Sequence, residues 1–257
     1  MSVLDAEHSS DHDESYFASF TDLLVGVLFI FIIMLMVFAS NFNKTVSEVT
    51  GIKNSRDKVL QEIEKSLQSE GVSVSIDLEQ GILRLPESVL FGVGQSQLST
   101  DGVASITKLA SILKKYLPCL ATLKEGDAEE EAFCKSLNLE NRDALETVLI
   151  EGHTDQTGNR DSNWALSTQR AVAVFQTLTS KEPVLDDGII TRVTTQEGEI
   201  REFPVLAISG YEARRPVEPG NPKEEEKRKK NRRIDLRFIM RSPTPKELDQ
   251  IKGDMNR

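Results

Sequence analysis

Positive charge and cysteine are both scarce in this chain. Its 31 Lys and Arg stand against 41 Asp and Glu, a formal net charge of −10 at pH 7. That sign argues against general nucleic-acid binding, because phosphate backbones are held by basic surfaces. Two cysteines, Cys119 and Cys134, allow one intrachain bridge at most. No Lys or Arg precedes Lys44. Residues 1–14 are acidic and polar, with Asp5, Glu7, Asp11, Asp13 and Glu14, and are expected to form a disordered tail. His8 and His12 lie four apart among these carboxylates, but nothing rigid holds the pair, so no metal site is expected. A cleavable signal peptide is not expected either. The apolar run that follows is too long for an h-region and lacks a cleavage signature.

That run, residues 15–43, is SYFASFTDLLVGVLFIFIIMLMVFASNFN, and Asp22 is its only charged residue. As a helix it spans roughly 43 Å, enough for a bilayer with its interfaces, and the segment after Asp22 alone crosses a hydrocarbon core of about 30 Å. A lone carboxylate inside such a span costs at least about 2.5 kcal/mol, and residues of this kind line ion paths or face partners. Asp22 at the interface, as a helix-start charge, is the other reading. Three features favour the buried position. Phe17, Ala18 and Phe20 extend the apolar pattern upstream. Tyr16, Phe17 and Phe20 resemble an interfacial aromatic belt placed before Asp22. Ser19 and Gly26 flank Asp22 by one turn on each side and make a narrow face suited to helix packing.

After the span, residues 44–70 carry apolar side chains at Val49, Ile52, Val59, Leu60, Ile63 and Leu67, a roughly helical spacing. A coiled-coil stalk and a plug lying on the membrane both fit, and Gly51 is a candidate break. With 257 residues, the chain has room for one sizeable domain beyond the span. It is expected over residues 71–241, with a polar, flexible tail at 242–257. Val72, Val74, Ile76 and Leu78 alternate as in a strand, and residues 82–85 return as a second. Ser99 starts a helix that Pro118 ends. Residues 119–143 form an acidic loop holding both cysteines, which an oxidising compartment would allow to bridge. A strand at 148–150 leads into Gly152-His153-Thr154-Asp155, then a helix from about 162 to 179. Residues 182–204 read as an inserted loop or hairpin. Strands at 205–208 and 234–239 complete the domain.

Asp155 and Arg170 are fifteen apart, one on the loop after a strand and one about two turns into the next helix. A helix folded back on the strand brings them together. Such a pair can bind both ends of an amino-acid-like group, or can be a salt bridge locking strand to helix. His153 invites a catalytic reading, but no oxyanion loop or nucleophile elbow accompanies it, and no enzyme activity, catalytic residue or cofactor is expected. The basic run 227–233 follows Glu224, Glu225 and Glu226 and runs into a strand, so it reads as a solvated helix end.

The segment IEGHTDQTGNRDSNWALSTQRAVAVFQTL (150–178), with GYEARRPV (210–217) and NRRIDLRF (231–238), resembles the OmpA-like peptidoglycan-binding domain. The pattern's landmarks are all present except the second glycine of the G-Y-G-E-like turn, where Ala213 follows Tyr211 and Glu212. The resemblance implies an α+β chain: one N-terminal transmembrane helix, a linker helix, and an α/β sandwich with helices packed on one mixed sheet. It implies that Asp155 and Arg170 hold the diaminopimelate of the stem peptide, with Asn163, Leu166 and Thr154 completing the pocket. It also implies a periplasmic domain and an N-terminus in the cytoplasm, and in that oxidising compartment the isolated pair Cys119 and Cys134 is expected to bridge. The charge bias runs the other way. Lys44, Lys53, Arg56 and Lys58 follow the span, and the positive-inside rule would place them in the cytoplasm.

A span with an early aspartate, a linker and an OmpA-like domain is similar to the MotB class of rotary stator subunits. FTDLLVGVLFIFIIMLMVF (20–38) most resembles the B subunits of the Zorya anti-phage defence system. The resemblance implies an inner-membrane homodimer inside a ring of five MotA-like A subunits, with Asp22 carrying the translocated ion. A flagellar MotB-like stator and a passive cell-wall tether are the alternatives.

Overall fold

The computed structural model describes residues 10–92, 94–126, 128–194, 198–219 and 224–242. Residues 1–9 of the expected N-terminal tail, with His8, and residues 243–257 of the expected C-terminal tail lie outside the described residues. Two compact units divide between residues 48 and 49.

The first unit consists, in its described part, of the beginning of helix α1 (Ser10–Ser69). Residues 10–14, expected as tail, are already helical. Among the described residues, α1 is the one helix long and apolar enough to cross a membrane. Its large side chains lie bare: Leu23, Ile30 and Met34 are 65%, 69% and 69% exposed. Apolar surface of that extent is tolerated by lipid and not by water. Asp22 sits exposed among them.

The second unit runs from Val49 to Thr244. It includes the end of α1, which continues through Gly51 without the expected break. Val59, Leu60, Ile63 and Leu67 are fully buried in the core, so the helical spacing read there is that of a core face rather than of a free stalk or plug. Strand β1 (Ser75–Asp77) is shorter than its alternating pattern. It pairs with β2 (Ile82–Pro86), and a one-turn helix α2 (Glu87–Leu90) follows. Helix α3 (Thr100–Tyr116) starts at Ser99, whose hydroxyl accepts from Gly102 N at 3.0 Å, and passes into a short 3-10 turn containing Pro118.

Where an acidic loop was expected, the chain forms the two-residue strand β3 (Thr122–Leu123) and helix α4 (Ala128–Ser136). Strand β4 (Leu145–His153) and helix α5 (Arg160–Lys181) match the expected strand and helix, each extended at both ends. After α6 (Val184–Asp187), the region 182–204 does contain a hairpin, β5 (Ile189–Thr194) and β6 (Ile200–Pro204). Strand β7 (Leu206–Gly210), helix α7 (Glu225–Asn231) and strand β8 (Arg233–Met240) end the described part.

The main sheet has the order β1-β2-β8-β4-β7. Only β4 and β7 run parallel, so the sheet is mixed, as expected. A second small sheet, β3-β5-β6, was not expected. One face of the main sheet is apolar. Val148 and Ile150 of β4 and Ile234, Leu236 and Phe238 of β8 are buried with Ile106, Leu109 and Leu113 of α3 and with Ala171, Val174 and Leu178 of α5. At roughly 1.5–3 kcal/mol for each large side chain, this face supplies most of the drive for folding.

The alternate residues on the other face form a charge ladder. Glu151 and Asp235 lie opposite each other and would repel, but arginines separate them. Arg237 bonds both oxygens of Glu151 at 2.7 and 2.9 Å, and Arg84 and Arg233 hold Asp235 at 3.1 and 2.9 Å.

Candidate ligand-binding site

The loop after β4 is positioned by a close approach. Gly152 faces α5, and a Cβ there would overlap the Ser167 carbonyl, so the helix lies this near the strand only over a glycine. Asn159 caps α5 by accepting from Asp161 N at 2.8 Å. Between cap and strand, Asp155 Oδ1 accepts from Thr157 N at 2.8 Å and also from the Thr157 hydroxyl. Asn163 Nδ2 reaches back from the first turn of α5 to Thr157 O at 2.8 Å, tying the loop to the helix.

These residues edge a cavity of about 460 Å³. Thr154, Asp155, Asn163, Leu166 and Arg170, the five residues expected to bind a stem peptide, all line it. Glu87, Gly94, Thr157, Glu225, Arg228 and Arg232 complete the wall. Asp155 and Arg170 converge, but their charges are joined through two intermediaries instead of directly. Arg170 Nη2 donates to Glu87 Oε1, while Glu87 Oε2 accepts from Arg232 Nε at 2.6 Å. Arg232 then donates through Nη1 to Asp155 Oδ2 at 2.5 Å and through Nη2 to Glu225 at 2.8 Å. Arg170 is also held by Gln95 O at 2.9 Å and stands over the Phe91 ring, 5.1 Å from its centroid.

Burial works against the charges of both Asp155 and Arg170, which are 5% and 2% exposed. For Asp155, the hydrogen bonds from Thr157 and Arg232 outweigh burial and hold the carboxyl below its ordinary range. Arg170 is pulled down by burial against the opposing pull of Glu87 and remains a cation. Arg232 is raised: its three carboxylate partners, Glu225, Asp155 and Glu87, outweigh its own burial. The Thr154 hydroxyl is buried and has no partner among the described residues. A polar atom of this kind on a cavity wall is an unused hydrogen-bonding group that a ligand can satisfy. The cavity thus offers guanidinium, carboxylate and hydroxyl groups beside the apolar Leu166, a set suited to a zwitterion on an aliphatic stem.

Glu87 was missing from the sequence reading, and Arg232 entered it only within the basic run and the NRRIDLRF landmark. Glu87 comes from a one-turn helix with no periodic signal. Arg232 belongs to the basic run read as a solvated helix end, yet it is the hub of the cavity's ion pairs, and Arg233 beside it is only 4% exposed. The turn at 210–213 also needs correction. The left-handed backbone falls on Glu212, at φ 54°, so Glu212 and not Ala213 occupies the position that favours glycine. Its carbonyl accepts from Thr154 N at 3.0 Å, which ties the turn to the cavity loop.

His153 is 1% exposed and lies outside the cavity wall, stacked on Tyr211 with ring centroids 5.4 Å apart. Its ligand atoms and those of Glu151 and Asp235 lie within 4.8 Å of one another. Arg84, Arg215, Arg233 and Arg237 already contact the two carboxylates, so a divalent cation would add charge to a cluster rich in cations. Cys119 and Cys134 are joined, with Cα atoms 5.0 Å apart, and the bond ties α4 to the turn after α3. Asp22 belongs to the other unit.

Residues 121–232 match the model of the OmpA family. The chain carries an OmpA-like domain. A comparison with curated proteins found no match. Among solved structures, the periplasmic domain of Helicobacter pylori MotB (residues 78–256) is 19% identical, with a TM-score of 0.39, over 68% of this chain and 83% of that one. A putative MotB-like protein from Desulfovibrio vulgaris is 17% identical with a TM-score of 0.45, over 76% and 95%. The cell wall anchor of the T6SS from Pseudomonas aeruginosa is 16% identical with a TM-score of 0.43, over 71% and 97%.

Proposed function

We propose that this chain is a membrane-anchored peptidoglycan-binding subunit, with its OmpA-like domain in the periplasm and its N-terminus in the cytoplasm. The observation that carries the reading is the convergence of Thr154, Asp155, Asn163, Leu166 and Arg170 on one cavity within the region that matches the OmpA family. In the proposed complex, the ammonium of a diaminopimelate lies toward Asp155 and its carboxylate toward Arg170, while Leu166 packs on the aliphatic stem. The cavity serves as an anchor and performs no chemistry.

The finer reading is a stator-like motor subunit. Asp22 takes up and releases the translocated ion while the wall-bound domain holds the subunit against the reaction torque. The partner is a multi-span MotA-like ring, five around two copies of this chain, and the Zorya-like sequence at 20–38 supports a role in anti-phage defence. A flagellar MotB-like stator and a passive tether remain the competing roles for the same anchor.

Arg170→Ala tests the anchor. Loss of its charge-assisted contacts should cost about 1.5–3 kcal/mol of binding, or roughly a tenfold to hundredfold weaker peptidoglycan pulldown. Circular dichroism and thermal melting check that the variant is folded. Undiminished binding by a folded variant would leave Arg170 a purely structural group and remove the cavity from the function.

A further inference from the structure

We infer that Glu87 sets the charge selectivity of the cavity. This deepens the peptidoglycan reading and rests on it. Glu87 is 8% exposed, and its two oxygens are divided between Arg170 and Arg232. With Glu87 included, the wall carries three guanidinium groups, Arg170, Arg228 and Arg232, and three carboxylates, Glu87, Asp155 and Glu225. The wall is therefore balanced by count. A balanced wall of low dielectric accepts a group that brings one positive and one negative charge and disfavours one that brings a single sign. Removing the Glu87 charge leaves one guanidinium unbalanced. The cavity then favours a ligand of net negative charge.

Glu87 acts through its two arginines, so it is a positioning and specificity residue. Arg170 would not be set adrift by its loss, because Gln95 O and the Phe91 ring hold the guanidinium from other sides. The Glu87 amide also bonds Arg232 O at 3.0 Å, a contact that no side-chain substitution removes. A one-turn helix thus brings a carboxylate into the cavity wall from 68 positions before Asp155.

The test uses the full chain in detergent and two probes. One is the stem tripeptide ending in diaminopimelate with its side-chain ammonium free. The other is the same tripeptide N-acetylated at that amine, which removes the positive charge. Calorimetry gives a dissociation constant for each, and the readout is their ratio. The unaltered chain should prefer the free amine. Glu87→Gln should shift the ratio on the order of tenfold toward the acetylated probe. Glu87→Asp, which keeps the charge, should leave the ratio within about threefold of the unaltered chain even where both affinities fall. A purely structural Glu87 lowers the melting temperature and weakens both probes alike, so an unchanged ratio in Glu87→Gln overturns the inference. If Glu87→Gln does not fold, a ratio shifted tenfold in Glu87→Asp overturns it equally, because the charge is then not what the cavity reads. Failure of the unaltered chain to bind either probe removes the peptidoglycan reading itself, and Glu87's role with it.

Discussion

Acid should destabilise the OmpA-like domain through His153 before its carboxylates begin to titrate. Burial pushes the imidazole below its ordinary value, and Arg233 adds to this, although Glu151 at 3.5 Å and Asp235 at 3.7 Å pull the other way. The Tyr211 ring covers one face. A histidine with a lowered folded value stays neutral in the fold while the unfolded chain takes up a proton below about pH 6.5. The unfolded state then binds more protons, so stability rises with pH and falls as pH is lowered from about 6.5 toward the folded value. Between pH 7.5 and 5.0, the loss accrues below about pH 6.5 at up to about 1.4 kcal/mol per pH unit for as long as the folded imidazole stays neutral. Each kcal/mol lost is about 2–4 °C in melting temperature for a domain of this size. His153→Phe keeps a ring to stack on Tyr211 and cannot titrate. Thermal melts of both proteins across that range report the contribution of His153, together with its effect on Glu151, as the difference in slope, because His8, His12 and the more distant carboxylates are common to both. Identical slopes would refute the reasoning.

Two further outcomes are expected. Asp22→Asn keeps size and hydrogen bonding but cannot release a proton, so phage protection in cells should be lost at normal membrane levels of the protein; full protection would sink the ion-carrier reading and leave the tether. Thiol labelling of freshly purified, denatured chain should find neither Cys119 nor Cys134 free, and reduction should lower stability by about 3 kcal/mol in the chain-entropy account; two labelled thiols would remove the bridge.

Legibility in the sequence followed signal strength. The loop and helix around Asp155 and Arg170 were readable because an apolar strand and a helix with an apolar face follow one another within 148–179 and carry a specific motif. Glu87 was invisible because four helical residues show no period, and its partners are 83 and 145 positions away. Arg232 was visible but misread, since a charge run looks alike whether it meets water or closes a cavity. The β3-β5-β6 sheet escaped because β3 has only two residues, and because β6 is exposed along its whole length and shows no buried alternation. Gly51 was overweighted as a break. A glycine costs about 1 kcal/mol in a helix, less than the burial of Val59, Leu60, Ile63 and Leu67 returns further along.

The two ends of the chain bear on one another through cost. A tether needs a span and an anchor, and any apolar residue at position 22 would make a cheaper span than aspartate by about 2.5 kcal/mol. The anchor gains nothing from that carboxylate. The four basic residues just after the span, Lys44, Lys53, Arg56 and Lys58, make a periplasmic C-terminal domain harder to insert as well. A passive tether shares the wall anchor and so explains the second expense, but it does not explain the first. A subunit whose carboxylate must alternate between charged and neutral states inside a ring explains the first, because the charge is then the working part. On the proposed reading, a cavity that holds the wall would require the domain to face the periplasm against the charge bias, for a tether and a motor alike. The motor reading accounts for both costs with two sites, and each site is removable by a single substitution that leaves the other intact.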